Sequence, residues 1–187
     1  LINDAQAYNI DVKNGTGDKA VVTEKTVTNA SKANDELAKP DIETVVFVTS
    51  GGTGVSIDVP ADKTLILSSS GAITGTITTG AGNGAQTINL SGVTGEFTIE
   101  KGSVIVKNGT ISAGTITVNE GDTLVLENVS IDGDVTIDGA GSVVVKAGQK
   151  VTINNGKTLT VKANMEVYGS VEKESATGTA GKLSILG

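Results

Sequence analysis

The chain has 187 residues, a formal net charge of -7 and 14 basic residues, all of them lysine. An acidic chain without arginine has no basic stripe to neutralise phosphates, so we expect no nucleic-acid partner. Cysteine and histidine are also absent. Because these are the preferred ligands of zinc, iron and copper, we expect no metal site and no cofactor.

Residues 1–28 are predicted to form an N-terminal arm. Tyr8, Ile10 and Val12 alternate with polar residues, which is the periodicity of a strand. A turn at Asn14–Gly15 and the following segment VVTEKTVT predict either a hairpin or two separate extended pieces. The arm precedes the rest of the fold, which we predict to be one domain over residues 29–187.

The one helix that the sequence predicts is Asn29–Lys39. Asn29 or Ser31 can cap its start, and Pro40 ends it. Three apolar residues fall at helical spacing on one face: Ala30, Ala33 and Leu37. A short helix with one thin apolar face needs a surface to cover.

The segments that follow resemble a known family. The helix, then AKPDIETVVFV, then IDVPADKTLIL resemble the first coil of right-handed parallel β-helix proteins of the pectin-lyase-like superfamily, over about residues 29–68. The resemblance implies a right-handed solenoid closed at its N-terminal end by the helix. The resemblance implies lyases with an arginine or lysine base beside calcium-binding acids, or hydrolases with aspartates, a histidine and an Arg-x-Lys element. Without arginine and histidine, the hydrolase pattern and the arginine-based lyase pattern cannot be carried over, so we expect no catalytic residues and no enzyme.

Residues 96–187 divide into five similar units of 17 to 19 residues. Within a unit, apolar and polar residues alternate over four or five positions, and glycine, asparagine or aspartate occupies the corners. This predicts coils of a parallel β-helix, about eight in total with the earlier segments. The fold class is therefore all-β, a single-stranded right-handed parallel β-solenoid with a short N-terminal helix and a strand-forming arm.

Two corners agree in register, because Asn108 and Asn128 each follow an inward apolar residue by two positions. Stacked asparagines can hydrogen-bond along a solenoid, so we predict an asparagine ladder. Both residues also lie in Asn-x-Ser/Thr sequons, but a ladder would bury them. The candidate glycosylation sites are therefore Asn14, Asn29 and Asn89.

The remaining side chains suggest three other functions, which are calcium binding, glycan binding and ice binding. Asp132, Asp134 and Asp138 could converge on calcium, although Asp-Gly is also common turn chemistry. A glycan-binding face would use these turns and the glycine-rich loop 80–85, but it lacks aromatic platforms. An ice-binding face needs regular threonine ranks. Thr76–Thr78 and Thr115–Thr117 have the required form, whereas three other threonines stand singly: Thr98, Thr136 and Thr152.

The ends of the stack carry the functional expectation. Leu183 and Ile185 are predicted to point into an uncovered last coil, which Tyr8, Ile10 and Val12 of a neighbouring subunit could extend by adding a strand. The arm could instead fold back over its own solenoid. We expect an extracellular or cell-surface structural protein that assembles head to tail into a filament, sheath or surface layer, with itself and glycans as partners. A carbohydrate-directed adhesin or degenerate lyase-like module is the alternative.

The start at Leu1 and the lack of an 18-residue apolar run indicate a processed product or a fragment without a membrane span. The absence of cysteine leaves the redox compartment open. High glycine and threonine with few charges is typical of extracellular β-rich structural proteins, which is the reason for the expected location.

Overall fold

The structure, a computed structural model, describes residues 10–11, 21–79, 85–100, 102–174 and 178–186. Within these residues the chain forms one short helix and strands that stack in parallel as a β-solenoid of about eight coils. This confirms the predicted all-β solenoid with a short helix near its N-terminal end.

The elements are numbered along the chain. The helix α1 spans Ala30–Leu37. The strands are β1 Ile10–Asp11, β2 Val21–Val22, β3 Glu24–Val27, β4 Thr44–Thr49, β5 Gly52–Val59, β6 Thr64–Ser69, β7 Ile73–Thr79, β8 Gln86–Asn89, β9 Thr94–Glu100, β10 Val104–Thr117, β11 Thr123–Ile131, β12 Val135–Asp138, β13 Ser142–Val145, β14 Lys150–Ile153, β15 Thr158–Val161, β16 Asn164–Val167, β17 Ser170–Lys173 and β18 Lys182–Ile185.

A full coil carries strand segments on three faces, named A, B and C in chain order. Face A stacks β3, β4, β6, β8, the start of β10, the start of β11, β13 and β16. Face B includes the middle of β10, the end of β11, β14 and β17. Face C stacks most of β5, β7 and β9, the end of β10, β12, β15 and β18. Each strand between the first and the last coil, apart from β5, thus pairs with a strand of the coil before it and of the coil after it.

The interior is built from the apolar half of each strand's alternation. On face C one isoleucine per coil points inward, in register with the isoleucine of the next coil. The five stacked residues, each at most 2% exposed, are Ile57, Ile77, Ile99, Ile116 and Ile137. Burying one such side chain contributes roughly 1.5–3 kcal/mol. The core is therefore continuous from coil to coil.

One large ring fills part of this interior. Phe97 is 1% exposed, and a Cβ atom added at Gly95 would lie 2.3 Å from its Cζ. Glycine at 95 therefore makes room for the ring, because real Cβ atoms do not approach other heavy atoms so closely.

Helix α1 covers the first coil. The Asn29 side-chain oxygen accepts a hydrogen bond from the Lys32 backbone N–H at 2.8 Å, which caps the helix start. Ala33 and Leu37 are fully buried against the solenoid. The helix ends earlier than predicted, and Lys39 lies in the turn that follows it.

Asn34 makes the helix a substitute for a neighbouring strand. Its side-chain Nδ2 donates to the Ser56 carbonyl at 3.2 Å, and its Oδ1 accepts from the Asp58 N–H at 2.8 Å. These two backbone groups lie on β5, whose strand neighbour is β7. One amide side chain therefore pairs with the donor and the acceptor that a further strand would otherwise satisfy.

Lys63 fixes the turn after the helix. Its Nζ donates to the carbonyls of Lys39 at 2.9 Å and of Ile42, with a third, longer contact of 3.5 Å to the Pro40 carbonyl. An ammonium group is a favourable partner for carbonyls beyond a helix C-terminus. Lys63 thus ties the end of the cap to the second coil.

The solenoid begins before the predicted boundary at residue 28. Strand β3 pairs in parallel with β4, and Val27 is only 6% exposed, so residues 24–27 belong to face A. The alternation of this segment predicts a strand, but it does not tell whether that strand belongs to the arm or to the solenoid, because the local pattern is the same in both. Tyr8, Val12 and the Asn14–Gly15 turn lie outside the described residues, as does most of the glycine-rich loop.

Candidate functional site: the end coil and the asparagine corner

The last coil has three strands with one strand neighbour each. Among the described residues, β16 pairs with β13, β17 with β14 and β18 with β15. In the part of the chain that the structure describes, no strand pairs with the backbone N–H and C=O groups of their other edges. An edge of this kind is a template for adding another strand. We name these three strands the end coil.

The end coil also carries exposed hydrophobic side chains. Four large hydrophobic residues of the described chain are exposed, and all four belong to this coil or directly follow its strands: Val167 (46%), Tyr168 (67%), Ile185 (53%) and Leu186 (66%). Three more are partly buried against the core: Met165, Val171 and Leu183. Their inward alternation continues that of the coils below.

The inward positions of strand β18 differ in burial from those of the preceding coil. Leu183 and Ile185 lie in register with Leu159 and Val161 of the preceding coil, which are both 0% exposed. Leu159 and Val161 thus have a described strand on both sides, whereas Leu183 and Ile185 have one on one side only. The role of Leu183 and Ile185 in a subunit interface stays a prediction.

The arm residues proposed to meet this coil are mostly not described. Of Tyr8, Ile10 and Val12, only the backbone of Ile10 is described, and it pairs antiparallel with Val22 of the same chain. This two-residue ladder, Ile10–Asp11 with Val21–Val22, is compatible with the predicted hairpin.

The asparagines stack at the corner between faces A and B. The Nδ2 of Asn128 lies 3.5 Å from the Oδ1 of Asn108, whose Nδ2 lies 3.5 Å from the Oδ1 of Asn89. Asn108 and Asn128 adopt positive φ angles of 60° and 52°, which asparagine tolerates better than most residues. The file of three includes Asn89, which escaped the sequence pattern because it follows the inward Ile88 by one position and not by two.

The expectation that stacking would bury these side chains is wrong. Asn108 and Asn128 are exposed, and Asn89 is half-buried. The reason is geometric, because the left-handed backbone at the corner turns the side chain outward while Val106 and Leu126 fill the interior. Beside the stack lies an open depression of about 410 Å³. Its lining residues are Gly92, Asn108, Gly109, Thr110, Asn128 and Ser130.

The three aspartates considered for calcium do not converge. Asp132 Oδ1 accepts from the Asn154 side chain at 3.2 Å, whereas Asp138 pairs with Lys162 at 2.9 Å. The hydrogen bond from Lys162, with a second from the Gly139 N–H, lowers the pKa of Asp138. In the described part of the chain, no group of three or more His, Cys, Asp or Glu residues is arranged to hold a metal ion.

Face C carries a file of hydroxyl groups that the sequence pattern did not show. Thr98 and Thr136 stand singly in the sequence, but they fall in register with the paired threonines of neighbouring coils. One outward file of hydroxyl groups therefore runs through seven coils: Ser56, Thr76, Thr98, Thr115, Thr136, Thr160 and Ser184. The parallel file two positions on is interrupted by charged residues: Asp58, Glu100, Asp138 and Lys162. An ice-binding face of regular double ranks is therefore not formed. Thr152 lies on face B.

No family model, no curated protein and no solved structure matches the chain. The search for membrane spans, made over the described residues, found no helix that is long and apolar enough to cross a bilayer.

Proposed function

We propose that this protein is an extracellular structural subunit that assembles head to tail by strand addition into a filament, sheath or surface layer. The observation that carries the proposal is the end coil, which combines three free strand edges with the exposed apolar residues of the described chain. Strand addition would supply backbone partners and cover Val167 and Ile185 in one step.

The opposite end of the solenoid gives the contact its direction. Helix α1 lies over the first coil, and Asn34 pairs with the edge of β5, whereas β3 pairs with β4 alone among the described strands. That end therefore presents a different surface from the end coil. A contact between two unlike surfaces is heterologous, and such contacts propagate unless their rotation closes a ring. The added strand is taken to come from the arm of a second copy.

Composition and resemblance support the wider assignment. A chain with no cysteine, arginine or histidine, held by parallel ladders and a Val/Ile/Leu core, suits a structural role outside the cell and lacks the residues of the hydrolase and arginine-based lyase patterns of the pectin-lyase-like superfamily. The proposed relationship to that right-handed superfamily rests on the resemblance of the helix and of the segment from Pro60 to Leu65.

The test compares two lysine substitutions on β18. Ile185→Lys places a charge on the inward side of the end coil, whereas Ser184→Lys places it on the outward side of the same strand. Light scattering over a concentration series and negative-stain electron microscopy should show assemblies for the parent chain and Ser184→Lys but not for Ile185→Lys. A parent chain that stays monomeric at high concentration contradicts the proposal.

Deleting residues 1–20 tests the donor. The deletion removes the arm but leaves β2 and β3, so the first coil keeps its face A strand. Loss of assembly with an unchanged thermal midpoint in dilute solution supports donation from a second copy. A lowered midpoint in the monomer shows instead that the arm covers its own solenoid, and unchanged assembly shows that another segment is the donor.

The second candidate is a carbohydrate-directed module, favoured by the depression beside the asparagine stack, whose lining is amide, hydroxyl and glycine. Sugar hydroxyls would hydrogen-bond to these groups, but the depression is shallow and has no aromatic side chain in its lining. Soluble oligosaccharides that shift amide resonances of Asn108 and Asn128 in NMR titrations would favour this function, and no shift would remove it.

A further inference from the structure

Three Asn-x-Ser/Thr sequons from consecutive coils meet at one corner of the solenoid. They are residues 89–91, 108–110 and 128–130. The register of β10 with β11 places Thr110 opposite Ser130, and the side chains of Asn108 and Asn128 lie side by side. Sequons far apart in sequence are thus brought into one file, although only Asn89 of the three was a candidate on sequence grounds.

The second and third sequons present both of the groups that N-glycosylation requires. Asn108 and Asn128 are exposed, and their mutual hydrogen bond of 3.5 Å is at the long limit for such a bond, so little is lost when it breaks. Thr110 and Ser130 line the same open depression as the two asparagines. The acceptor amide and the hydroxyl two positions later therefore lie on one accessible surface in each coil.

Asn89 is the least available of the three. It is half-buried, and its Oδ1 accepts from the Ser91 N–H at 3.1 Å as well as facing the Asn108 side chain. Asn29 is committed to capping α1. Of the sequons that the structure describes, those at Asn108 and Asn128 are thus more available than those at Asn89 and Asn29, and Asn14 lies outside the described residues.

We propose that Asn108 and Asn128 form an N-glycan attachment corner that carries one glycan per chain. The side-chain amide nitrogen forms a bond to the anomeric carbon of an oligosaccharide that is activated as a polyprenyl diphosphate. The bond from that carbon to the phosphate oxygen breaks, the diphosphate leaves with the electron pair, and the amide nitrogen loses one proton.

The limit of one glycan follows from the coil spacing. Neighbouring strands in a sheet are about 4.8 Å apart. A pyranose ring with its hydroxyl groups is wider than that, so a sugar on Asn108 covers the amide of Asn128, and the converse also holds. Occupancy of one site therefore excludes the other.

The site is independent of the proposed assembly. The corner lies along the side of the solenoid, with Asn128 two coils and Asn108 three coils from β16. A bulky, solvated glycan there leaves the end coil free and hinders side-to-side packing of the solenoids.

Sequon variants that keep both asparagines test the proposal. The chain is secreted from a cell that performs N-glycosylation, behind a flexible leader with its own sequon, and only molecules glycosylated on that leader are counted. Peptide mapping after enzymatic release, which converts each carrier asparagine to aspartate, reports occupancy site by site. The variants are Thr110→Val and Ser130→Ala, with Thr117→Val on the same strand as the matched control.

The parent chain and Thr117→Val should carry a glycan on Asn108 or on Asn128, never on both in one molecule. Thr110→Val should move all of it to Asn128, Ser130→Ala should move all of it to Asn108, and the double variant should carry none at the corner. Unmodified Asn108 and Asn128 in the parent chain would overturn the attachment site. Two glycans on one molecule would overturn the exclusion.

Discussion

The two ends of this solenoid differ in how their strand edges and inward side chains are covered. At the N-terminal end, a helix buries Leu37 against the first coil, and one amide, Asn34, satisfies a donor and an acceptor on the edge of β5. At the C-terminal end, β18 has the same inward alternation, but its Ile185 is 53% exposed, and β15 is the one described strand that pairs with β18. The comparison teaches that a coil edge can be closed with very few residues, which makes the open edge informative.

The largest expected effect comes from truncating one leucine at each end. Leu37→Ala removes a fully buried side chain and should lower the free energy of unfolding by roughly 2–5 kcal/mol. Leu183→Ala removes a half-buried one, and in dilute monomer it should cost about 1 kcal/mol. Urea unfolding measures both, and equal losses would mean that the two ends are equally covered.

An intermediate effect is expected from Asn34→Ala. The substitution leaves the Ser56 carbonyl and the Asp58 N–H without their partner, at about 1 kcal/mol for each bond. It also opens the edge of β5, so the variant should assemble at lower concentration. Asp35→Ala, at an exposed position of the same helix, is the matched control. A variant that matches this control in both stability and assembly would show that Asn34 does not close the edge.

The smallest effect concerns pH. The Lys162 hydrogen bond, followed by the Gly139 N–H, lowers the pKa of Asp138 in the folded chain, so the stabilisation is present above the unfolded pKa and is lost as the pH falls through the folded one. Asp138→Asn should flatten the thermal midpoint against pH below about pH 4. Lys162→Met removes the first of these two partners and should flatten the dependence in the same way. A slope that stays as in the parent chain in either variant would contradict the prediction.

The sequence predicted the parts of this fold that depend on local pattern. Alternation such as that of Phe97 and Ile99 identified the strands. The capping residue Asn29, together with Leu37 on the apolar face, identified the helix that covers the first coil. The uncovered positions of Leu183 and Ile185 were also visible, because they continue the same alternation.

Features that depend on pairing between coils were not visible. Asn34 reaches β5 across 22 and 24 residues, and no pattern within the helix marks it as an edge partner. Thr98 and Thr136 looked isolated because coils of unequal length hide the register that aligns them with Thr115. The outward turn of Asn108 comes from its positive φ, a backbone choice that the residue type permits but does not dictate.

The inward file of isoleucines on face C has a consequence for how the chain folds and opens. Because each coil touches only its two neighbours, stability is nearly a sum of nearest-neighbour terms, as in a one-dimensional chain of coupled units. The unit with one neighbour is the weakest, so fraying starts at β16, β17 and β18 and travels toward the helix. The rate of amide hydrogen exchange should therefore decrease from coil to coil, from Ile185 toward Ile57.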